Sequence, residues 1–367
     1  MTTATTSFET FLEQIRLSKE LRDACQKAHT DLRTKLMADA TLNPIFVSMF
    51  LQGSYARKTG TKPNGTDTHV DVDLVVVTKL HPKDWTPDRV LLLFTPFLDR
   101  EYPGQWESHD RSMKISPTGS PVTLDLVVTA APSEIQENLF KSFRESAEPI
   151  FEIEARGDRP SQSLSFREAI EKINKAVGST AWQQEPLLIP SRDVKTWIPT
   201  HPLEQIRWTI EKNDRTNGHY VNVVKALRWW RKHNPDGTYP KSYPLEHFIG
   251  DACPDGIGSV AEGVARTFES MRDNYAPHLF ARMVPVLFDR GVRHDVFNRI
   301  TPAQYQTFYN LASTAARSAR AALDAETNAE SIQRWNDLFV SDFPEPPAVP
   351  FTPPTQSATA KTSGRFG

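Results

Sequence analysis

Cysteine is almost missing: the 367-residue chain has two, Cys25 and Cys253, far apart and in no metal-like spacing. That argues against a disulfide framework and fits buried thiols in a reducing cytoplasm. Long apolar runs are missing too, and none approaches the ~20 residues that a membrane-spanning helix needs. The stretch MTTATTSFETFLEQIRLSKE has no basic segment followed by an apolar core, so no secretory signal is expected. An excess of one charge is also lacking. Lys and Arg number 43 against 45 Asp and Glu, a formal net charge of −2, so no whole-molecule attraction to nucleic acid is implied. Hydrophobic residues at 38% and charged residues at 24% are ordinary for a globular protein. The length allows two domains or one large composite one. A cytoplasmic protein is expected.

What is present divides into three textures. Residues 7 to 39 read as one long amphipathic helix led by Phe8, Phe11, Leu12 and Ile15. From 45 to 130 the short β-prone runs IFVSMFLQ, VDVDLVVV, SMKIS and VTLDLVV alternate with turns and one helical stretch near 87 to 100. The last two runs flank SPTGSP, which predicts a hairpin. Residues 134 to 199 read as connecting segments with a short helical piece near 166 to 177. From 200 the chain reads as helical: Thr200 as cap of HPLEQIRWTIEKN with Pro202 in the first turn, then GHYVNVVKALRWWRKHN, then Thr301 and Pro302 opening a further helix. The Pro-, Thr- and Ser-rich end predicts a disordered tail.

The chemistry concentrates in LQGSYARKTGTKPNGTDTHVDVDLVVV, residues 51 to 77. Side chains alternate along a strand, so Asp71 and Asp73 share a face, roughly 7 Å apart. Two such carboxylates repel one another unless a cation lies between them. Asp125, in VTLDLVV, sits in equally apolar company. If its strand pairs with that of Asp71 and Asp73, three carboxylates converge, a ligand set for two metals about 4 Å apart. Gly53 lets the backbone approach phosphate oxygens, and Ser54 adds a hydroxyl. Farther on, Lys225, Arg228 and Lys232 form a basic stripe that reads equally as a solvated helix face. Locally, Ser242 reads as a helix N-cap and Tyr243 as core.

Gly-Ser in a loop, Asp-x-Asp on a strand and a third Asp on a neighbouring strand resemble the nucleotidyltransferase superfamily that includes DNA polymerase β. Within it, LQGSYARKTGTKP, VDVDLVVV, THPLEQIRWTIEKN, NGHYVNVVKALRWWRKHN and YPLEHFIG resemble the CD-NTases, bacterial relatives of cyclic GMP–AMP synthase and oligoadenylate synthase, and their D clade above all. The resemblance covers about residues 8 to 343. It implies an α+β fold: a polymerase β-like core of mixed sheet and helices, with a C-terminal helical lobe and the active site in the cleft between them. The expected organisation is an N-terminal helix spanning the lobes (1–44), a catalytic core (45–199), a helical lobe (200–343) and a disordered tail (344–367).

The resemblance further implies catalysis by Asp71, Asp73 and Asp125, which bind two Mg²⁺, with Asp125 helping to deprotonate the attacking 3′-hydroxyl. Gly53, Ser54 and Lys225 hold the donor triphosphate, Gln52 touches substrate, Ser242 touches phosphate, and Tyr243 stacks on the base. The substrates implied are ATP and GTP, and the product a cyclic trinucleotide of two AMP and one GMP that activates an effector in antiphage defence. No zinc-ribbon cluster or large basic face is present, so direct activation by nucleic acid is not expected. The terminal Gly367 matches tails that an E1/E2-like enzyme conjugates to a target amine. The rival readings are a template-independent enzyme making linear products and an inactive nucleotide-binding signalling module.

Overall fold

A computed structural model describes residues 2–64, 68–145, 174–175, 180, 185–234, 239–340 and 342–345. The centre of the first half is a five-stranded sheet. Its strands are β1 (Phe46–Gln52), β2 (Val70–Thr78), β3 (Trp106–Ser108), β4 (Met113–Ile115) and β5 (Val122–Thr129), in the order β1-β2-β5-β4-β3. β2 runs parallel to β5, and the other neighbours are antiparallel, so the sheet is mixed. The Val-rich halves of β2 and β5 are buried on both faces, which suits β-branched side chains at the sheet centre. Residues 117–120 turn β4 back onto β5 as the hairpin expected from SPTGSP. β3 has no counterpart among the expected strands. Its three residues, Trp106, Glu107 and Ser108, show too short an alternation to read from sequence.

The helix expected over 7–39 is two helices. α1 (Thr2–Ile15) ends before Ser18, whose hydroxyl accepts from the Leu21 N–H and caps α2 (Lys19–Ala38). Capping satisfies an amide at the new start, so the break costs little. It also lets the two pieces serve different cores. Phe8, Phe11, Leu12 and Ile15 pack with the helices of the second half, whereas Cys25, Leu32 and Leu36 pack on the sheet. The buried apolar side chains described thus form two clusters, one around the sheet and one among the helices. Both cysteines are free and buried.

Single-turn α3 (Gly53–Ala56) follows β1, and α4 (Pro87–Leu93) and α5 (Thr95–Glu101) fill the helical stretch expected near 87 to 100. Between 134 and 200 lie α6 (Glu134–Glu145) and a hairpin of β6 (Leu187–Ser191) with β7 (Thr196–Thr200). Most of the helical piece expected near 166 to 177 lies outside the described residues. The second half comprises α7 (Pro202–Arg215), α8 (Tyr220–Lys232), α9 (Ser242–Ala252), α10 (Val260–Phe280), α11 (Pro302–Leu323) and α12 (Asn328–Leu338). His201, not Thr200, caps α7: its Nδ1 accepts from the Glu204 N–H, while Thr200 is spent as the last residue of β7. Thr301 and Gln304 form the full capping box of α11, with Pro302 at its first position. Among the described residues no helix is long and apolar enough to cross a membrane.

Candidate active site

Asp71 and Asp73 project from one face of β2, and Asp73 lies directly opposite Asp125 in the parallel register with β5. The third carboxylate therefore meets the second by strand pairing alone. Burial, then the Asp125 charge, pushes the Asp73 carboxyl up to about 7; Arg57 and Arg228 pull the other way without winning. Asp125 Oδ1 is buried and accepts no hydrogen bond. Two carboxylates pressed together, one with a donor-free oxygen, cost free energy unless a cation joins them. The pair fits a divalent metal. Asp71 shares the face but is otherwise engaged: Thr123 Oγ1 donates to its Oδ1, and Lys114 Nζ approaches the same oxygen at 3.2 Å. Among the described residues no three His, Cys, Asp or Glu side chains stand grouped to hold a metal.

The Gly-Ser turn is fitted to this pair. Gly53 has φ +70°, a conformation open to glycine, and a Cβ built there would stand 1.9 Å from Asp73 Oδ2. Nothing larger than hydrogen fits between the turn and the carboxylate. Gln52 ends β1 opposite Asp73, and α3 begins at Gly53.

A cleft of about 280 Å³ opens beside the carboxylates, between the sheet and the helices. Ser54, Asp71 and Lys114 line it from the sheet side, and Arg228, Lys232 and Ser242 from α8 and α9. Of the residues predicted from sequence, Ser54 and Asp71 thus face Ser242 across one cleft, with Gly53, Asp73 and Asp125 beside it. The basic stripe is not a solvated face, since Lys225 is buried and the Arg228 side chain is only 11% exposed. Ser242 is the first residue of α9 rather than its cap, a position held by Lys241.

Gln52, Lys225 and Tyr243 do not line that cleft. The Tyr243 ring packs against His247 with centroids 4.5 Å apart, and its hydroxyl donates to Asp289 and accepts from Gln205 Nε2. Burial and then the Asp289 charge push the phenol far above its ordinary range. The hydroxyl of Tyr243 is thus tied down, and its ring packs on His247 inside the helical half.

Residues 1–128 match the family described as the Second Messenger Oligonucleotide or Dinucleotide Synthetase domain. A cyclic AMP-AMP-GMP synthase of Enterobacter hormaechei subsp. hoffmannii (strain UCI 50) is 38% identical, with 98% of each chain covered. The chain belongs to the CD-NTase family. A probable cyclic AMP-AMP-GMP nucleotide synthase of Salmonella paratyphi B is 39% identical over the same shares of both chains. For the fold, the Bradyrhizobium diazoefficiens CD-NTase CdnG in complex with GTP aligns with a TM-score of 0.63 at 14% identity. That alignment covers 92% of this chain and 94% of that one. The CdnC:HORMA-deltaN complex of E. coli MS115-1 aligns with a TM-score of 0.62 at 15% identity, covering 93% and 98%. CD-NTases are nucleotidyltransferases that make cyclic oligonucleotide second messengers, and they generally use divalent metal ions.

Sequence reasoning missed several residues of this CD-NTase. Lys114 stands opposite Asp125 in the β4–β5 hairpin, a register the turn sequence could have revealed. Arg57 and Glu246 form a buried ion pair, Nε to Oε1 at 2.6 Å, across 189 positions of sequence. Burial opposes the charge on Glu246, but Arg57 first and then Arg228 and Thr59 outweigh it and hold the carboxyl at about 2. No local signal announces such a pair.

Proposed function

We propose that this CD-NTase condenses two ATP and one GTP into cyclic AMP-AMP-GMP in the cytoplasm, as a signal in antiphage defence. Asp73 and Asp125, joined by Asp71 once it leaves Lys114, would hold two magnesium ions. The observation that carries the site is the head-on pairing of Asp73 with Asp125, whose buried Oδ1 has no donor. The choice of product is supported by the names of the two relatives that align over 98% of this chain.

Magnesium held there would lower the proton affinity of the attacking 3′-hydroxyl and take up charge on the phosphates. The chain's own residues bind and orient. The Ser54 hydroxyl and the amides of the Gly53 turn hold the donor triphosphate, with the turn close against Asp73. Arg228 and Lys232, on the opposite wall, neutralise phosphate charge, with Lys225 behind them and Ser242 as a hydroxyl donor. At each step the 3′-oxygen forms a bond to the α-phosphorus, Asp125 aids removal of the hydroxyl proton, and pyrophosphate leaves.

The test is incubation with four labelled nucleoside triphosphates and Mg²⁺, followed by phosphatase and mass spectrometry. A phosphatase-resistant trinucleotide, lost in Asp73→Asn, is expected. Linear phosphatase-sensitive chains alone refute cyclisation, and nucleotide binding without turnover under any metal refutes an active enzyme. Gly367 lies outside the described residues; its conjugation to an amine by an E1/E2-like enzyme is part of the same reading. Fusion of extra residues beyond Gly367 should abolish adducts, and adducts that persist would refute it.

A further inference from the structure

The turn that carries Gly53 and Ser54 is not held by the sheet alone. Its backbone closes on itself: the amides of Thr59 and Gly60 donate to the Ser54 carbonyl at 3.0 and 3.2 Å, and the Arg57 amide to the Gly53 carbonyl at 3.1 Å. The helical half adds a set of side-chain contacts. Glu246 on α9 accepts from Arg57 Nε at 2.6 Å and Nη2 at 3.2 Å, a two-pronged grip, and from Thr59 Oγ1 at 2.9 Å. Arg228 on α8 donates to the Thr59 carbonyl at 2.8 Å and stands 3.9 Å from Glu246. Arg57 Nη1 reaches Gln205 Oε1 on α7 at 3.4 Å. The Arg57 and Glu246 side chains are 5% and 6% exposed.

A buried ion pair is a poor source of stability, because desolvating both partners cancels most of their attraction; what it does supply is a fixed geometry. Here that geometry joins the two apolar clusters at one point. Ala56 belongs to the sheet cluster, while Leu245 and Phe248, which flank Glu246, belong to the helical one. The same two helices supply Arg228, Lys232 and Ser242 to the cleft wall. Gly53, at the other end of the turn, has no spare room against Asp73. Any shift at Arg57 therefore reaches the carboxylates through four residues of tightly turned backbone.

We propose that Glu246 is a positioning residue for nucleotidyl transfer: by gripping Arg57 and Thr59 it holds the Gly53–Ser54 turn in register with Asp73 and fixes the helical wall of the cleft against it. Glu246 touches neither substrate nor metal in this scheme and acts through the turn. The inference rests on nucleotidyl transfer at the carboxylates, and the wild-type enzyme tests that separately, by making or not making product.

The experiment compares wild type, Glu246→Gln, Thr59→Val and Gly263→Ala for melting temperature, for affinity towards a non-hydrolysable ATP analogue, and for kcat and KM per folded molecule. Thr59→Val removes a single hydrogen bond from the clamp and guards against a Glu246 variant that fails to fold. Gly263→Ala overpacks the helical core against Val223 and Ile257, neither of which is a clamp residue. Displacement of a catalytic element by a fraction of an ångström to 1 Å costs about tenfold to a hundredfold in rate. Expected is a fall in kcat of about tenfold or more for Glu246→Gln and about threefold for Thr59→Val. The change in KM should be smaller, and Gly263→Ala should lose melting temperature but not kcat. If the clamp variants lose only melting temperature, with kcat and analogue affinity per folded molecule at wild-type values, Glu246 is structural and the proposal is wrong. Should the wild type bind the analogue but make no product, the reaction assignment fails. In that case unchanged analogue affinity in both clamp variants overturns the proposal as well, and weakened affinity upholds its positional part.

Discussion

Asp73→Asn should make the metal-free protein more stable at neutral pH while abolishing its activity. The wild-type carboxyl is raised from 3.8 to about 7 in the folded chain, by burial first and the Asp125 charge second. An acid with a raised folded-state pKa binds its proton more tightly when folded, so stability is lost as pH climbs from about 4 to about 7. Three units at 1.36 kcal/mol each give as much as ~4 kcal/mol of destabilisation above pH 7. Asparagine has the same shape without the charge and escapes this penalty. Chemical unfolding in EDTA, read by tryptophan fluorescence, should therefore show the variant ahead by up to ~4 kcal/mol at pH 8, shrinking below ~1 kcal/mol near pH 4.5. Adding Mg²⁺ to ten times its dissociation constant should return ~1.4 kcal/mol to the wild type and nothing comparable to the variant. A gap of equal size at both pH values, or no gap at pH 8, would refute the claim that two carboxylates are held together at a cost.

The other predictions concern single contacts. Gly53→Ala places a methyl 1.9 Å from Asp73 Oδ2 at φ +70°. It should cost ~1–3 kcal/mol in backbone strain and at least ~100-fold in kcat, checked by unfolding and turnover together. Lys114→Met releases Asp71 from its 3.2 Å ion pair, so titration with Mn²⁺ followed by electron paramagnetic resonance should show tighter metal binding by a few-fold. Gly263→Ala puts a Cβ 2.5 Å from Val223 Cγ2 and 2.6 Å from Ile257 Cδ1, which predicts ~1–3 kcal/mol of overpacking, measured by urea unfolding.

The placement of the paired carboxylates on β2 was legible because it obeys local rules. Alternation put Asp71 and Asp73 on one face, and the turn residues between β4 and β5 announced their hairpin, whereas the parallel pairing of β5 with β2 that brings Asp125 to Asp73 carries no local signal. The bend at residues 16 to 18 was hidden because the apolar pattern runs through it, and only packing against two different cores distinguishes α1 from α2. Thr200 looked like a cap until β6 claimed it as a strand partner.

By itself, then, the sequence determined the local geometry of the sheet: a strand fixes the spacing of its own carboxylates, and Gly53-Ser54 announces a turn at the end of β1. Tertiary structure decided what surrounds them. It put Arg228 and Lys232 on a cleft wall and buried Lys225, tied Tyr243 to Asp289, and joined Arg57 to Glu246 across 189 residues. Those outcomes depend on how two separate apolar clusters dock, and docking brings together side chains that no periodicity in the chain relates.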